Sequence, residues 1–485
     1  MQNTFSSSQP LRIGWAAADI TPDRTAVIGG MPWARLSSGV MDKLTATVLA
    51  LETHPPGQHP QPVIFVGCDL RGIREALRDA VRAQLTEKLP ALDPLCVILN
   101  AVHTHNAPPL GTFGIDLEGM SEDDYVAFAA PRIAVAITEA WHNRSPGGIG
   151  YGLGQAVVGR NRLIAYTDAS SKMYGATDVD NFSHVEGYED HSVNVLCTWN
   201  SDRKLTGMVV NLAAPSQVSR SLTAFSADYW HDTREALRAQ LGPGLFVLPQ
   251  CSSAGDQDTN VLWDKAADER MLRLAGRSRR AEIAARLTQA ITTILPLIER
   301  EIDWAPVLAH DVRTVQLPRR MLGEDDLQKA LADAQPHREI FERMMAELEV
   351  NPALRNDPEW LKQATRAFWN ARRGETVQKR FELQKTEPRF AIEMHAVRIG
   401  DLAVITNPFE LFLDYGIRIK ARSPAVQTFI VQLASGSSGY LPTERSVAGG
   451  AYGAVPASTN IGPEGGRQLV EETLKELKAL WEETE

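Results

Sequence analysis

Residues 62–68 read Pro-Val-Ile-Phe-Val-Gly-Cys, and residues 95–102 read Leu-Cys-Val-Ile-Leu-Asn-Ala-Val. Short continuous apolar runs rich in β-branched residues are typical of strands that are buried on both faces. The segment between them, residues 74–89, has its apolar residues at helical spacing. Two buried strands joined by a helix predict a right-handed parallel crossover, so both strands should end at the same edge of the sheet.

A second unit repeats this order downstream, with predicted strands at 207–213 and 245–249 around a predicted helix at 229–241. We therefore predict an α/β fold of mixed, largely parallel sheet layers covered by helices, as a single catalytic domain over residues 1–485. Residues 147–201 are rich in Gly, Asn, Asp and Tyr, which indicates loops and short antiparallel strands. The charged segment 322–385 is predicted to be a helical insertion with breaks at Pro336 and Pro352.

The composition excludes several classes of protein. Of the 485 residues, 44% are hydrophobic and 23% charged, so a substantial core can form. The net charge of −10 is spread along the chain without a basic face, which argues against a nucleic-acid partner. No apolar run is long enough to span a membrane, and the polar N-terminus does not resemble a secretory signal. We expect a cytoplasmic protein with four buried free cysteines, and no pattern indicates an oligomeric state.

His103 and His105 directly follow the predicted strand 95–102. On an extended segment, residues i and i+2 point to the same side, so one imidazole can bind a metal while the other faces a substrate. A His-x-His pair alone is a weak signal, because it is also common in structural or exposed positions. Its place at the carboxyl end of a buried strand favours a divalent metal site, with zinc as the first choice.

Two further candidates lie near the C-terminus. Glu410 follows a predicted strand at 402–407 between apolar neighbours, and a half-buried carboxylate needs a cation partner. Without apolar neighbours, Glu410 would be explained more simply as an acidic residue in the first turn of a helix, where it interacts favourably with the helix dipole. Tyr440 follows the glycines of 436–439, which allow a tight turn that aims its side chain inward. Taken alone, Tyr440 would be read as a surface-loop tyrosine.

Together these stretches resemble the neutral (non-lysosomal) ceramidase family, in its zinc-bearing N-terminal catalytic domain. The resemblance implies a zinc-dependent amide hydrolase, and it extends in order over most of the chain although each motif is short. The sequence ends soon after the last motif, so we expect a divergent member without the family's C-terminal β-sandwich domain. The matching residues are 13–22, 65–69, 103–108, 226–228, 254–256, 408–410 and 439–440.

The resemblance implies roles for individual residues and one Zn²⁺ per chain. His103 matches the first histidine ligand, Glu410 the carboxylate ligand and Tyr440 the phenolic ligand, which can also serve catalysis. His105 matches the histidine that assists at the scissile amide. Asp256 and Asp228 are candidates to orient the histidine ligands. Asp256 is also expected to be a catalytic residue.

One departure from the family concerns the second histidine ligand, which the family supplies after a strand similar to 207–213. Here residues 211–217 read Asn-Leu-Ala-Ala-Pro-Ser-Gln, with no histidine. His231, in the first turn of the predicted helix 229–241, is the nearest candidate to replace it. A three-ligand site and a site that uses Asp228 remain alternatives.

The sequence therefore favours a metal-dependent hydrolase that cleaves an amide or ester in a lipid-like or other small N-acyl substrate. Ceramide itself is in doubt because the insertion lies where long lipid chains would be received. Two alternatives stay open. One is a metal-dependent lyase or hydrolase that acts on a sugar or uronate, for which residues 160–162 and 173–175 could bind a polar ligand. The other is a non-catalytic binding protein on the same fold.

Overall fold

Eight strands form the larger of two stacked sheets. The computed structural model describes residues 10–54, 59–108, 111–117 and 119–482; most of the polar N-terminus discussed above lies outside them. In chain order the strands are β1 (Arg12–Asp19), β2 (Thr45–Thr53), β3 (Gln61–Cys68), β4 (Val97–Ala101), β5 (Ser145–Gln155), β6 (Ser192–Asn200), β7 (Leu205–Leu212) and β8 (Phe246–Cys251).

The order of strands across this sheet is β8-β7-β6-β5-β1-β2-β3-β4. The two parallel pairs predicted from the sequence, β3 with β4 and β7 with β8, are confirmed and form the two edges of the sheet. The pairings between them are antiparallel. The predicted α/β class, with a mixed sheet covered by helices, is thus confirmed, and antiparallel pairings outnumber parallel ones within this sheet.

A second sheet has the strand order β9-β10-β11-β12, with β9 at Leu308–Pro318, β10 at Arg389–Ile399, β11 at Leu402–Thr406 and β12 at Gln427–Val431. Only β11 and β12 run parallel within it. The two sheets stack face to face, since one buried apolar cluster joins residues such as Leu49 and Phe65 of the first sheet to Val404 and Phe429 of the second. This cluster is the centre of the molecule.

Helices cover the outer face of each sheet and complete a four-layer α/β/β/α arrangement. The apolar stripe Leu77, Val81 and Leu85 of α1 packs with α2 on one half of the first sheet, while α3 and α5 pack on the other half. Helices α8 and α10 cover the second sheet. The helices are α1 (Glu75–Lys88), α2 (Glu122–His142), α3 (Tyr229–Leu241), α4 (Lys265–Ala275), α5 (Arg279–Ile298), α6 (Glu324–Val350), α7 (Pro358–Thr386), α8 (Leu413–Arg422), α9 (Glu444–Gly449) and α10 (Pro463–Glu482).

Short strand pairs shape the loops around the sheets. They are Val27–Ile28 with Arg35–Leu36, Gly39–Val40 with Ala224–Phe225, Arg160–Asn161 with Gln257–Asp258, Leu163–Tyr166 with Ser171–Met173 and Phe182–Val185, and Glu410–Leu411 with Tyr440–Leu441. The four cysteines are buried and free, as predicted. Within the described ranges, no helix is long and apolar enough to cross a membrane.

Residues 147–201 contain the predicted short antiparallel strands, but the long strand β5 was not predicted there. Its sequence contains five glycines, which weaken strand propensity and concealed it. A Cβ at Gly150 or Gly152 would lie 2.7–2.8 Å from side-chain atoms of Ile298, the last residue of α5. These glycines therefore let α5 approach the strand closely, and β5 forms the middle of the sheet.

Helices α6 and α7 occupy most of the predicted helical segment 322–385. The predicted break at Pro352 is confirmed, because a 3₁₀ turn, Pro352–Asn356, separates the helices. The predicted break at Pro336 is wrong: α6 runs through it. The carbonyl of Ala332, which Pro336 leaves without its helical partner, belongs to an exposed residue and can bind water instead.

Candidate functional site

The candidate residues lie where strands of both sheets end. His103 follows the end of β4 at Ala101, Glu410 follows the end of β11 at Thr406, and Tyr440 lies in the loop after β12. Glu410 and Tyr440 are direct partners in a short parallel strand pair. Carboxyl ends of parallel strands are the usual ligand-binding edge of open α/β sheets, so the topology places these residues where a site is expected.

Backbone hydrogen bonds join the two sheets at this edge. The Ala101 amide donates to the Leu433 carbonyl at 3.2 Å, and the Ser435 amide donates to the Leu99 carbonyl at 2.8 Å. Leu433 and Ser435 have positive φ angles of 52° and 53°. The loop that follows β12 is thereby bent onto β4, which holds the Glu410 and Tyr440 side of the site against the His103 side.

His103 is held in one orientation by the backbone around it. Its φ angle is +65°, so the segment is not extended and the strand-like alternation assumed from the sequence is wrong. Its amide donates to the Leu70 carbonyl at 3.0 Å. Its Nδ1 lies 2.6 Å from the Arg71 carbonyl, which fixes Nδ1 as the protonated nitrogen and leaves the lone pair on Nε2.

His103 Nε2 faces Glu410 Oε2 at 3.3 Å. Both atoms are buried, and neither has a hydrogen-bond partner among the described residues. Burial by itself would raise the pKa of Glu410, but the neighbouring His103 imidazole and the positive charge of Arg162 lower it to about 2. A carboxylate oxygen and an imidazole lone pair at this separation require a cation, either a proton on His103 or a metal ion.

The pair fits a metal ion of the size of zinc. Two bonds of about 2.0–2.1 Å to ends 3.3 Å apart enclose an angle of roughly 107°, near the tetrahedral value that zinc prefers. The Tyr440 hydroxyl hydrogen-bonds Glu410, and burial and the Glu410 charge raise the pKa of Tyr440 well above its usual range. No group of three or more His, Cys, Asp and Glu suited to a metal occurs in the described ranges, so the fit depends on Tyr440 as third donor.

His231 is not brought to this group. It lies in the first turn of α3, where the preceding Tyr229 and Trp230 are buried and take the inward-facing positions. Helical periodicity then turns His231 toward a groove between α3 and α5, beside Thr288. The expectation that His231 supplies the missing histidine ligand is therefore corrected, and the ligand candidates that lie together here are His103, Glu410 and Tyr440.

The two candidate orienting carboxylates hold loops instead of a histidine. Asp228 caps the first turn of α3 and accepts a hydrogen bond from the Ser219 amide at 2.6 Å. Asp256 accepts hydrogen bonds from the Leu413 amide at 2.9 Å and from Asn161 Nδ2 at 3.0 Å. Burial raises the pKa of both carboxyl groups. Asp256 thus connects the start of α8, next to Glu410, to the loop that carries Arg162.

His105 lies beside His103, with ring centroids 5.0 Å apart in an edge-to-face arrangement. Its Nε2 is 2.9 Å from the side-chain nitrogen of Gln217, in the very stretch that lacks the family's histidine. Accepting that amide hydrogen places the proton on Nδ1, which is buried and without a hydrogen-bond partner in the described structure. Burial, and then the charges of His103 and Arg71, lower the pKa of His105 well below its usual range, so the ring is neutral.

An arginine cluster at the site was not identified from the sequence. Arg162 Nη1 donates to the Tyr174 hydroxyl at 2.6 Å, and its Nη2 lies 4.0 Å from Glu410 Oε2. Arg220 Nη1 donates to Asp258 Oδ2 at 2.9 Å and lies 2.8 Å from the same Tyr174 hydroxyl. The sequence offered only polar loops at 160–162 and 173–175 as a signal, because partners so far apart in the chain leave no local pattern.

The fold resembles that of two solved structures. One is neutral ceramidase from Pseudomonas aeruginosa, with a TM-score of 0.68 and 19% identity over 98% of this chain and 75% of that one. The other is a ceramidase complexed with C2, with a TM-score of 0.67 and 18% identity over 98% of this chain and 76% of that one. No protein-family model and no curated protein sequence matches this chain. The chain therefore has a ceramidase-like fold, as the resemblance implied.

Proposed function

We propose that this chain is a metal-dependent hydrolase that binds one Zn²⁺ and cleaves an amide or ester bond. The observation that carries the proposal is the buried pair of His103 Nε2 and Glu410 Oε2, which lie 3.3 Å apart and have no other hydrogen-bond partner among the described residues. The ceramidase-like fold supports an amide as the bond that is cleaved. The substrate is a small or lipid-like N-acyl compound.

His103, Glu410 and Tyr440 would hold the metal. Zinc in such a place lowers the pKa of bound water and polarises a carbonyl. The Arg71 carbonyl keeps His103 in the tautomer whose Nε2 is free to bind. The neutral His105 ring carries an N–H at Nδ1 that can donate a hydrogen bond to the acyl oxygen as that oxygen gains negative charge. The Tyr440 hydroxyl can donate to oxygen that gains negative charge.

We further propose that helices α6 and α7 are an insertion within a single catalytic domain, and that they wall the site. They connect the adjacent strands β9 and β10. The Ala34 amide donates to Thr365 Oγ1 of α7 at 3.0 Å. Arg373 of α7 stacks over the ring of Tyr452 at 4.9 Å, and that ring lies 6.1 Å from Tyr440. Helices α6 and α7 thus reach Tyr440, the proposed third metal donor, through the ring of Tyr452.

Metal analysis of protein purified without chelators tests the proposal. We expect about one zinc per chain, and a loss of zinc and activity in His103→Ala and Glu410→Gln with the fold retained by circular dichroism. His184→Ala is the matched control, because the His184 side chain is exposed and its hydrogen bond is to the neighbouring Ser183.

Activity is measured on an N-acylated amine and on an ester with the same acyl chain. If the wild-type protein contains less than about a tenth of an equivalent of zinc per chain and gains no activity when zinc is added, the chain is a binding protein and not a hydrolase. An unsaturated product that absorbs in the ultraviolet, formed from a uronate substrate, would identify a lyase.

A further inference from the structure

The candidate site is rich in arginine. Three guanidinium groups, those of Arg71, Arg162 and Arg220, lie among the carboxyl groups of Glu410, Asp258 and the buried Asp256. A bound divalent cation would make the site positively charged overall. A site of this charge binds a neutral substrate less well than one that brings a negative charge.

Among the described residues, Arg71 forms no ion pair with a carboxylate of its own. Its backbone carbonyl orients His103, and its charge acts on both Glu410 and His105. Its Nε is buried and has no hydrogen-bond partner in the ranges that the structure describes. By contrast, Arg234 forms a paired bridge with the buried Asp69, two residues before Arg71, at 2.7 and 3.0 Å. Within the part of the chain that the structure describes, the buried Arg234 is thus fully paired, whereas the half-buried Arg71 at the site has no carboxylate partner.

Arg162 and Arg220 share one carboxylate. Asp258 Oδ2 lies 3.7 Å from Arg162 and 2.9 Å from Arg220. Arg162 is 97% buried, yet its Nε also lacks a hydrogen-bond partner among the described residues. Arg220 uses Nη1 for Asp258 and Tyr174, and 27% of its side chain is exposed. The arginine cluster can thus donate hydrogen bonds to a ligand on its buried side, from Arg162, and on its solvent-exposed side, from Arg220.

The wall of the site is basic as well. On α7, Lys362 and Arg366 both lie over the ring of Trp33, at 5.8 and 5.9 Å, and Arg373 lies over Tyr452. These three side chains are spaced four and seven residues apart, so they share one face of the helix. An approaching anion would meet positive charge at the wall before it reached the arginine cluster.

We propose that the substrate carries an anionic group, a carboxylate or a phosphate, within a few bonds of the cleaved amide, and that Arg71 with Arg162 and Arg220 recognises it. N-acyl amino acids are the simplest compounds of this class. Hydrolysis adds the hydroxyl of water to the acyl carbon, breaks the C–N bond and transfers a proton to the nitrogen, which yields a fatty acid and an amino acid. This inference deepens the proposed function and rests on it for the reaction but not for the binding.

A panel with one acyl chain tests the substrate class. The probes are N-dodecanoylglycine, N-dodecanoyl-O-phosphoethanolamine and the neutral N-dodecanoylglycinamide. We expect kcat/KM for one or both anions to exceed that for the neutral amide by about 10- to 100-fold, as charge-assisted hydrogen bonds allow. In Arg71→Gln that ratio should fall about tenfold or more, mainly through KM. Arg273→Gln, which removes an exposed charge on α4, is the matched control.

Binding of a compound that cannot be cleaved separates this inference from the proposed function. In 4-oxopentadecanoate a methylene replaces the amide NH of N-dodecanoylglycine, and calorimetry compares it with its own neutral primary amide. Preference for the carboxylate, lost in Arg71→Gln, would support the inference even if no probe were hydrolysed. Equal binding of the two compounds, or faster cleavage of the neutral amide, would overturn it while leaving the hydrolase proposal intact.

Discussion

Gly255→Ala should disturb the candidate metal site without touching any of its donor side chains. A Cβ on Gly255 would lie 2.3 Å from the Glu410 carbonyl oxygen and 2.9 Å from Phe412 Cδ1. An ordinary contact between carbon and oxygen is about 3.3 Å, so the two segments must separate by about 1 Å. The Gly255 amide also donates to the Leu411 carbonyl at 2.8 Å, and that hydrogen bond fixes the direction of the movement.

The magnitude follows from this displacement. Overpacking of this kind costs about 1–3 kcal/mol of stability. A shift of about 1 Å in a group that positions the reacting atoms costs roughly 100-fold in rate. Weakened support of a metal ligand lowers metal affinity by about 10- to 100-fold. We therefore expect Gly255→Ala to fold, to unfold at lower denaturant concentration, and to bind zinc at least tenfold more weakly than wild type.

Competition with a chromogenic zinc chelator measures the affinity, and urea unfolding measures the stability. Gly244→Ala is the matched control, because a Cβ there meets no atom within 4 Å and should change neither quantity. Wild-type zinc affinity and wild-type unfolding in Gly255→Ala would show that Glu410 is not held by this close approach, and would refute the reasoning.

Two further predictions concern buried charge away from the metal donors. Asp69→Asn should cost about 3–5 kcal/mol in urea unfolding because it leaves Arg234 buried without its carboxylate, and adding Arg234→Gln should recover part of the loss; an unchanged midpoint would contradict this. Burial, and then the charge of His395, lower the pKa of His310 to about 3. Above about pH 6.5, the usual pKa of histidine, His310 is neutral in both the folded and the unfolded state, so it does not make stability depend on pH. Between about pH 6.5 and 3 the unfolded state binds the proton more readily, and the free energy of unfolding therefore falls as the pH falls. Relative to His310→Gln, the wild type should lose about 1–2 kcal/mol between pH 7.5 and pH 5 in urea unfolding; a constant difference would count against a depressed pKa.

Much of the site could be predicted because strand ends are local features of the sequence. The runs before His103 and Glu410 are continuous and apolar, so both strands were recognisable, and parallel topology then places their ends together. Tyr440 required the resemblance, since nothing local distinguishes it from a loop tyrosine. Its pairing with Glu410 in a short parallel ladder is a tertiary fact.

The failures have physical reasons. His231 was proposed from its proximity in sequence, but the direction of a helical side chain depends on which neighbours are buried, here Tyr229 and Trp230. Strand β5 was missed because its glycines serve contact with α5 rather than strand propensity. The arginine cluster was missed because residues such as Arg162 and Asp258 meet only after the loops of distant units close on each other.

The division of the donors between two stacked sheets has a consequence for biosynthesis. His103 belongs to the first sheet and Glu410 to the second, so roughly 300 residues of chain separate two groups that meet at 3.3 Å. At a ribosomal rate of about 5–20 residues per second, the second donor emerges roughly 15–60 s after the first. The nascent chain therefore exposes His103 and His105 long before Glu410 can join them. Acquisition of the proposed metal should be one of the last steps of maturation, and a product truncated before Glu410 should not retain the ion.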